Sequence, residues 1–535
     1  MTETFLTSLL VLTVLAASAA LARRLVTAPA IVFLVVGIVL AFVPGFPLIE
    51  MKPESVLLMV LPPLIYSAGV SMSWREFKFN LRPIALLAIG CVIFTTCAVA
   101  AATHWLLGLP WGVGFVLGAI VSPPDVVAPL AIAKRLQLTH RILVILEGEG
   151  LANDATALIL YRFAVLAIST GTFSLGAAAG SFSLILLGEM VFGIAVGWFS
   201  LRLRQWAHDE RVEILLSLLT PYLAYWVPEH LGGSGVIATV AAGLYVSWNG
   251  PLLISAATRL QGIFFWDLVI WLIEGVLFLL MGFEVRVLME KAKAVPVNEV
   301  LVATALTSAI VIAARFIWVF PGTYLTRILS ARVRRRDPPP PWRYLVVIGF
   351  TGIRGMVSLA VALALPLTLP NGQDFPYRDL VQLTSFGVIF VTLFGIGLTL
   401  PFVVNLLGIS GHGHREALNE REAEIAARRT IIEAARGALT KIIAERNLPE
   451  GLAKFLEARH ETRMRALPEP PREGDEHSPA TKGGSMVREI ITIERTHLHR
   501  LLREGKITDE TRRRIERDLD LEEAVVDNRE KHSPL

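Results

Sequence analysis

The chain has 535 residues, 54% hydrophobic and only 18% charged, with a mean hydropathy of +0.58 and a formal net charge of +4. A soluble domain carries roughly a quarter charged residues, so a soluble globular protein is excluded. Cys91 and Cys97 supply neither a disulfide framework nor metal spacing, and no cofactor is expected.

Up to about residue 408 long apolar runs follow one another; beyond it almost every turn is charged. A bilayer span takes about 20 apolar residues. Candidate runs lie near 5–21, 27–43, 54–71, 83–107, 111–133, 141–170, 176–201, 212–228, 233–247, 262–285, 298–327, 342–366 and 380–407. The pattern predicts an all-α polytopic membrane protein with about 13 transmembrane helices over 1–408 and a helical cytoplasmic tail over 409–535.

In chain order, the first run has small residues suited to signal cleavage. It lacks a basic n-region, however, and Arg23 and Arg24 follow it, which favours a retained helix. The fourth run holds both cysteines, read as buried apolar thiols, and ends at His104, read as interfacial. The fifth, "LGAIVSPPDVVAPLAIA" (117–133), carries Pro123, Pro124, Asp125 and Pro129. Proline removes a donor and clashes with the carbonyl four residues earlier, so this helix should break and free carbonyls near Ala119 and Ile120. Freed carbonyls beside a carboxylate suit a small hard cation.

The sixth run contains "LEGEGLANDATALILYRF" (146–163), with Glu147, Glu149, Asn153 and Asp154 in an apolar region. Asp154 falls near the middle of the run. Glu149 and Asn153, like Gly150 and Asp154, are four apart and share a helix surface. The competing reading makes "EGEGLAN" a loop and Asp154 the cap of a helix starting at Ala155. An ionisable group at membrane depth is a functional-site hypothesis by default.

Glu189 and Glu284 are read as lying near helix ends. Asp267 and Glu274, seven apart on the tenth run, are read as facing a funnel. Arg315 in the eleventh run needs a carboxylate partner, with snorkelling to the interface as the alternative. The twelfth run, "GFTGIRGMVSLAVALALP" (349–366), is loosened by Gly349, Gly352 and Gly355 around Arg354. Interrupted segments in runs five and twelve point to inverted repeats, runs four to six against eleven to thirteen.

In the tail, 414–447 shows apolar residues at helical spacing, Ile425, Ile431, Ile432 and Ala435 among them. Residues 467–484 read as a flexible linker. Residues 485–526 read as two helices parted at Gly505, Lys506 and Ile507, with Thr508 or Asp509 as the next N-cap. The charges read as a solvated surface, with regulation, dimer bracing or anionic lipid as the sharper alternative. His412 and His414 are candidate pH sensors. Basic residues favour the odd-numbered loops by roughly 18 against 5, which places the N-terminus outside and the tail in the cytoplasm. The pI of 9.1 partly reflects this bias and does not point to nucleic acid.

"SPPDVVAP", "LEGEGLANDATAL", "LGGSGVIATVAAGL" (231–244), "ARFIWVF" and "GIRGMVSLAVAL" occur in order. Together they resemble the bacterial sodium/proton antiporters of the monovalent cation:proton antiporter-1 family, relatives of the animal sodium/proton exchangers. The resemblance covers about residues 5–408. It implies a homodimer of thirteen-helix protomers in which a core with two broken, crossing helices moves like an elevator. It assigns ion binding to Asp154 with Asn153, and to Asp125. It assigns a structural ion pair to Glu149 and Arg315, and the second broken helix's arginine to Arg354. Many relatives have Thr where Pro124 stands and Ser where Gly150 stands; the Pro124 carbonyl remains as a ligand.

The chemistry agrees with that assignment. An ionised carboxylate binds a cation and a protonated one does not, so Na⁺ (or Li⁺) and H⁺ compete for Asp154. One exchanging group predicts electroneutral exchange across the cytoplasmic membrane, and the Asn-Asp pair resembles the electroneutral branch. K⁺/H⁺ exchange is the alternative within this class. An intramembrane aspartyl protease would carry Gly-x-Gly-Asp, which neither aspartate follows, and a channel would need an open pore.

Overall fold

The computed structural model describes residues 2–25, 29–44, 58–171, 175–369, 372–446, 449–465, 467, 479–504, 506 and 508–531. Among them the fold is helical; the sole extended pairing is an isolated bridge, Thr368 to Asp374. The chain divides into two compact units, Met1–Ser410 and Gly411–Leu535.

The first unit begins with α1 (Thr2–Leu25), α2 (Pro29–Ala41) and α3 (Leu61–Ser71). Next come α4 (Leu81–Leu107), whose residues Leu86–Cys91 are π-helical, and the short pieces α5 (Trp111–Val121) and α6 (Val127–Arg135). Then follow α7 (His140–Thr170), α8 (Leu175–Ala207), α9 (Glu210–His230), α10 (Val236–Leu253), α11 (Ala256–Lys291) and α12 (Val297–Leu329). A second pair of short pieces, α13 (Trp342–Phe350) and α14 (Met356–Leu363), precedes α15 (Arg378–Leu407). Each apolar run of the sequence thus corresponds to a helix or a pair of half-helices, apart from residues 54–57, which lie outside the described residues with Lys52. Among the described residues, seven helices are individually long and apolar enough to cross a membrane: α4, most of α8, α7, α10, α11, α12 and α15.

Local chemistry sets the boundaries. Pro110, Pro296 and Pro341 stand at N-caps, where the missing N–H is not needed. Asp209 caps α9 by accepting from the Arg211 and Val212 N–H groups, and Ser255 caps α11 by accepting from Thr258. Gly171 ends α7 at φ +66°, a left-handed cap suited to glycine.

Helices α4, α5, α7, α12 and α15 pack as one group; α2 with α11, and α3 and α8 with α10, form another. The groups meet where α7 passes α10 and where α14 passes α11. Small residues let backbones approach: a Cβ on Gly37 of α2 would strike the Leu279 carbonyl of α11, and Gly282 faces Gly37 in return.

In the second unit, α16 (Ser410–Arg446), which starts at its border, and α17 (Glu450–Arg465) precede α18 (Pro479–Arg503) and α19 (Asp509–Lys531). Ile425 and Ile432 are buried but Ile431 is exposed, because consecutive helix positions point about 100° apart. The expected linker 467–484 shrinks, since α18 already starts at Pro479; residues 468–478 lie outside the described residues, as do Gly505 and Ile507. Thr508 is the N-cap, its hydroxyl accepting from the Thr511 N–H at 3.2 Å. Arg495 ties α18 to α19 through Asp520 at 2.5 Å and Glu523 at 2.6 Å.

Candidate ion-binding site

Two interrupted helices meet at their breaks. Residues 122–126 separate α5 from α6, and residues 351–355 separate α13 from α14. The Asp125 N–H donates to the Ile353 carbonyl at 2.7 Å, so one break is hydrogen-bonded to the other. Each break leaves helix-end groups without partners inside their own helix, and the opposite break supplies them. Arg354, 1% exposed, donates from Nε to the Val121 carbonyl at 2.9 Å and from Nη2 to the Ser122 carbonyl at 3.3 Å. It also reaches the Gly352 carbonyl, and its own N–H donates to Thr392 Oγ1 at 3.0 Å. A cation thus stands at the negative end of α5. At the other side of the break, Asp125 Oδ1 accepts from the Val127 N–H at 2.9 Å and caps α6. Its Oδ2 lies against Gly355, where no Cβ fits. The carbonyls expected to be free at Ala119 and Ile120 are not the ones used. Ser122 Oγ donates to the Ala119 carbonyl at 3.3 Å, and the helix runs to Val121 before it opens.

Helix α7 is continuous from His140 to Thr170, so "EGEGLAN" is no loop and Asp154 caps nothing. Intact i to i−4 hydrogen bonding satisfies its backbone without recourse to side chains. Glu149 is fully buried and pairs in both oxygens with Arg315, at 2.6 Å and 2.9 Å. Arg315, 2% exposed, also donates to the Ile348 carbonyl at 3.0 Å and to Thr351 Oγ1 at 3.2 Å. It does not snorkel; it ties α7, α12 and α13 together. Such a bidentate pair in a dry interior tolerates no loss of one partner.

Asn153 is fully buried. Its Nδ2 donates to the Pro124 carbonyl at 2.7 Å, and its Oδ1 accepts from the Asp154 N–H at 2.7 Å. That carbonyl keeps a second lone pair. Asp154 differs from Glu149: among the described residues no salt bridge or hydrogen bond reaches its carboxylate oxygens. It borders a cavity of about 10 Å³ with Ala119, Ile120, Pro123, Leu158 and Ser358, the room of about one water molecule. Asp125 lies within electrostatic reach. Asp154 is the carboxylate that lines this cavity, and the Asp125 carboxylate and the Pro124 carbonyl belong to the neighbouring break; a carboxylate in such a setting can take a hard monovalent cation or a proton. The glycine at 150 also has a cause. The Val126 side chain fills the space that a Cβ there would take, so a serine would not fit without displacing that side chain.

The remaining polar residues divide. Glu147 pairs with Lys134 at 3.1 Å. Glu189 lies mid-helix in α8, not near an end, and accepts from the Ser234 and Gly235 N–H groups. Glu284 is buried in α11. Asp267 and Glu274, two turns apart on one face of α11, differ in depth: Asp267 is exposed whereas Glu274 is half-buried. His104 stacks on Trp111 with ring centroids 4.4 Å apart. Cys91 is buried, but Cys97 is exposed. Sequence reasoning missed Thr351, Thr392 and Ser122, single hydroxyls with no distinguishing pattern. It also missed Asp337, which holds Arg82 at 2.5 Å, Arg141 at 2.8 Å and Arg327 at 2.7 Å. The signal there was a lone acid ending the basic stretch 332–336.

The family described as "Sodium/hydrogen exchanger, transmembrane" matches residues 9–406. An uncharacterized Na(+)/H(+) exchanger of Mycobacterium tuberculosis is 34% identical over 449 residues, 83% of this chain and 81% of its own length. The sodium, potassium, lithium and rubidium/H(+) antiporter of Bacillus pumilus is 31% identical over 414 residues, 75% of this chain and 61% of that protein. The fold is similar to the sodium proton antiporter MjNhaP1 from Methanocaldococcus jannaschii, with a TM-score of 0.59 at 16% identity, covering 76% of this chain and all of that one. The long apolar helices, the paired breaks and these matches agree: the chain belongs to the sodium/hydrogen exchanger family of membrane antiporters, which are transporters and not enzymes.

Proposed function

We propose that the chain exchanges Na⁺, and also Li⁺, for H⁺ across the cytoplasmic membrane at Asp154, and so serves pH homeostasis. The observation that carries this reading is the unpaired Asp154 carboxylate beside Asn153, whose amide holds the Pro124 carbonyl of the broken helix at 2.7 Å. Asp125 and the Pro124 carbonyl complete the cation's ligands. Protonation of Asp154 expels the cation and cation binding expels the proton, so the two ions travel in opposite directions. One carboxylate exchanging one charge for one charge is electroneutral.

Thirteen membrane passes in inverted repeats, N-terminus outside and tail 409–535 in the cytoplasm, follow from the loop charges and from the placement of the two breaks. The group containing α4–α7 and α12–α15 is the moving core. The group containing α1–α3 and α8–α11 is the fixed scaffold and homodimer surface, in an elevator-type cycle. Glu149 and Arg315 hold the core together, and Arg354 holds the breaks. Membrane lipid is the surrounding partner.

K⁺/H⁺ exchange is a second reading, favoured by the potassium-transporting name of the Bacillus relative. Proteoliposomes with an internal pH dye, given Na⁺, Li⁺ or K⁺ pulses with and without a clamped potential, test both. Flux with Na⁺ and Li⁺ that ignores the potential is expected. Flux with K⁺ alone selects the second reading, and flux that follows the potential contradicts electroneutrality.

A further inference from the structure

A partly exposed ion pair joins the helix that carries Asp154 to the other group of helices. Arg162 lies eight residues beyond Asp154 on α7, about 12 Å farther along at 1.5 Å per residue. Its Nη2 donates to Glu229 at the end of α9, and its Nη1 to the Gly233 carbonyl in the turn before α10. That turn is held from behind. The buried Glu189 of α8 accepts from the Ser234 N–H at 2.6 Å, the Gly235 N–H at 3.2 Å and the Ser234 hydroxyl at 3.2 Å. Gly235 has φ +66°, and a Cβ there would strike the Tyr225 carbonyl, so only glycine makes this turn. The receiving side is therefore a rigid ledge built from α8, α9 and α10, and Arg162 reaches onto it from α7.

We infer that Arg162 and Glu229 form a latch that closes one side of the passage to Asp154 in this conformation and parts whenever the site faces that side. The inference rests on the alternating-access reading above and names a control point for it. Glu229 and Gly233 belong to one group of helices and Arg162 to the other, so a sliding of α7 past α10 by a few ångströms breaks both contacts, because a hydrogen bond does not survive much beyond about 3.5 Å. Exposure separates this pair from the other arginine–glutamate pair of α7. The Arg162 and Glu229 side chains are 34% and 31% exposed, against 2% and 0% for Arg315 and Glu149. Water can receive both charges of the first pair when they part; the second pair has nothing to replace its partner and stays closed. Arg162 is a positioning residue here, acting on access to Asp154 and not on the ion.

The test is a cross-link. In full-length protein with Cys91→Ala and Cys97→Ala, Arg162→Cys and Glu229→Cys are joined by a short bismaleimide with a reducible spacer. Na⁺-driven proton flux is then read in proteoliposomes before bridging, after it, and after reduction. Bridging is expected to lower flux about tenfold or more, with recovery on reduction; undiminished flux after complete bridging overturns the latch. Should the double-cysteine protein fail to fold, the swap of Arg162→Glu with Glu229→Arg replaces it. Each single reversal is expected to slow exchange about tenfold and the swap to regain most of the rate, whereas a swap no better than the singles overturns the proposal. A parent protein that drives no flux with any alkali cation defeats the antiport reading instead, so the two failures are distinguishable.

Discussion

Two carboxylates stand five residues apart on α7. Glu149 is fully buried and bonded in both oxygens to Arg315. Asp154 is half-buried and bordered by a cavity, and among the described residues it meets no cationic side chain. The difference teaches which charge is structural and which is exchangeable. A carboxylate whose lone pairs are already taken by a guanidinium has nothing to offer a passing ion. One left open beside a held carbonyl does. At the breaks the protein supplies donors to helix-end carbonyls, from Arg354 to Val121 and Ser122 and from Asn153 to Pro124.

Exchanging the two residues' fates is the hardest way to break this comparison. Asp154→Asn is expected to reduce Na⁺-driven proton flux to the level of empty liposomes, with thermal stability in detergent within about 0.5 kcal/mol of the parent, because no partner is stranded. Glu149→Gln is expected to act the other way round. It strands the Arg315 charge and costs about 3–5 kcal/mol of stability, read as a lower unfolding temperature. Glu149→Gln with Arg315→Met should recover much of that loss.

The comparison sharpens at Asn153. Asn153→Ala frees the Pro124 carbonyl, and an unmet buried acceptor costs about 1–3 kcal/mol. The expected readout is a rise of about tenfold in the KM for Na⁺ with a smaller change in maximal rate, measured by dye quench. Acid gives a gentler probe. If H⁺ and Na⁺ compete for one carboxylate, lowering the pH raises the apparent KM for Na⁺ while saturating Na⁺ restores the rate. A maximal rate that falls at unchanged KM speaks against competition. At the small end, Lys134→Ala removes a half-exposed partner of Glu147, and such pairs contribute about 0–1 kcal/mol. Neither flux nor stability should move appreciably.

Much of this was legible in the sequence because lipid imposes strict rules. Apolar runs mark helices, paired prolines at 123 and 124 mark one break, and a mid-run Arg315 demands an acid. The motifs then put Asp125, Asn153, Asp154 and Arg354 into one neighbourhood, and the hydrogen bonds from Asp125 to Ile353 and from Asn153 to Pro124 bring them together. What stayed hidden depends on contacts distant in the chain. Glu189 looked like a helix-end residue because nothing local shows that α8 passes the turn at Ser234. The Arg162–Glu229 contact spans two groups of helices, and Arg162 near a run's end reads as an ordinary basic residue. Gly150 reads as a lost hydroxyl in the sequence, because nothing local shows that the Val126 side chain of the neighbouring break occupies the space. In the tail the helical spacing does not say which of the adjacent Ile431 and Ile432 faces inward; Ile432 is buried and Ile431 exposed.

The most direct measurement is Na⁺-driven proton flux through Asp154→Asn reconstituted beside the parent, at matched protein content and with folding verified by thermal unfolding. No flux above empty liposomes from a fully folded variant is the predicted result. Parental flux from that variant means the exchanging carboxylate lies elsewhere, and the contrast between Glu149 and Asp154 loses its meaning.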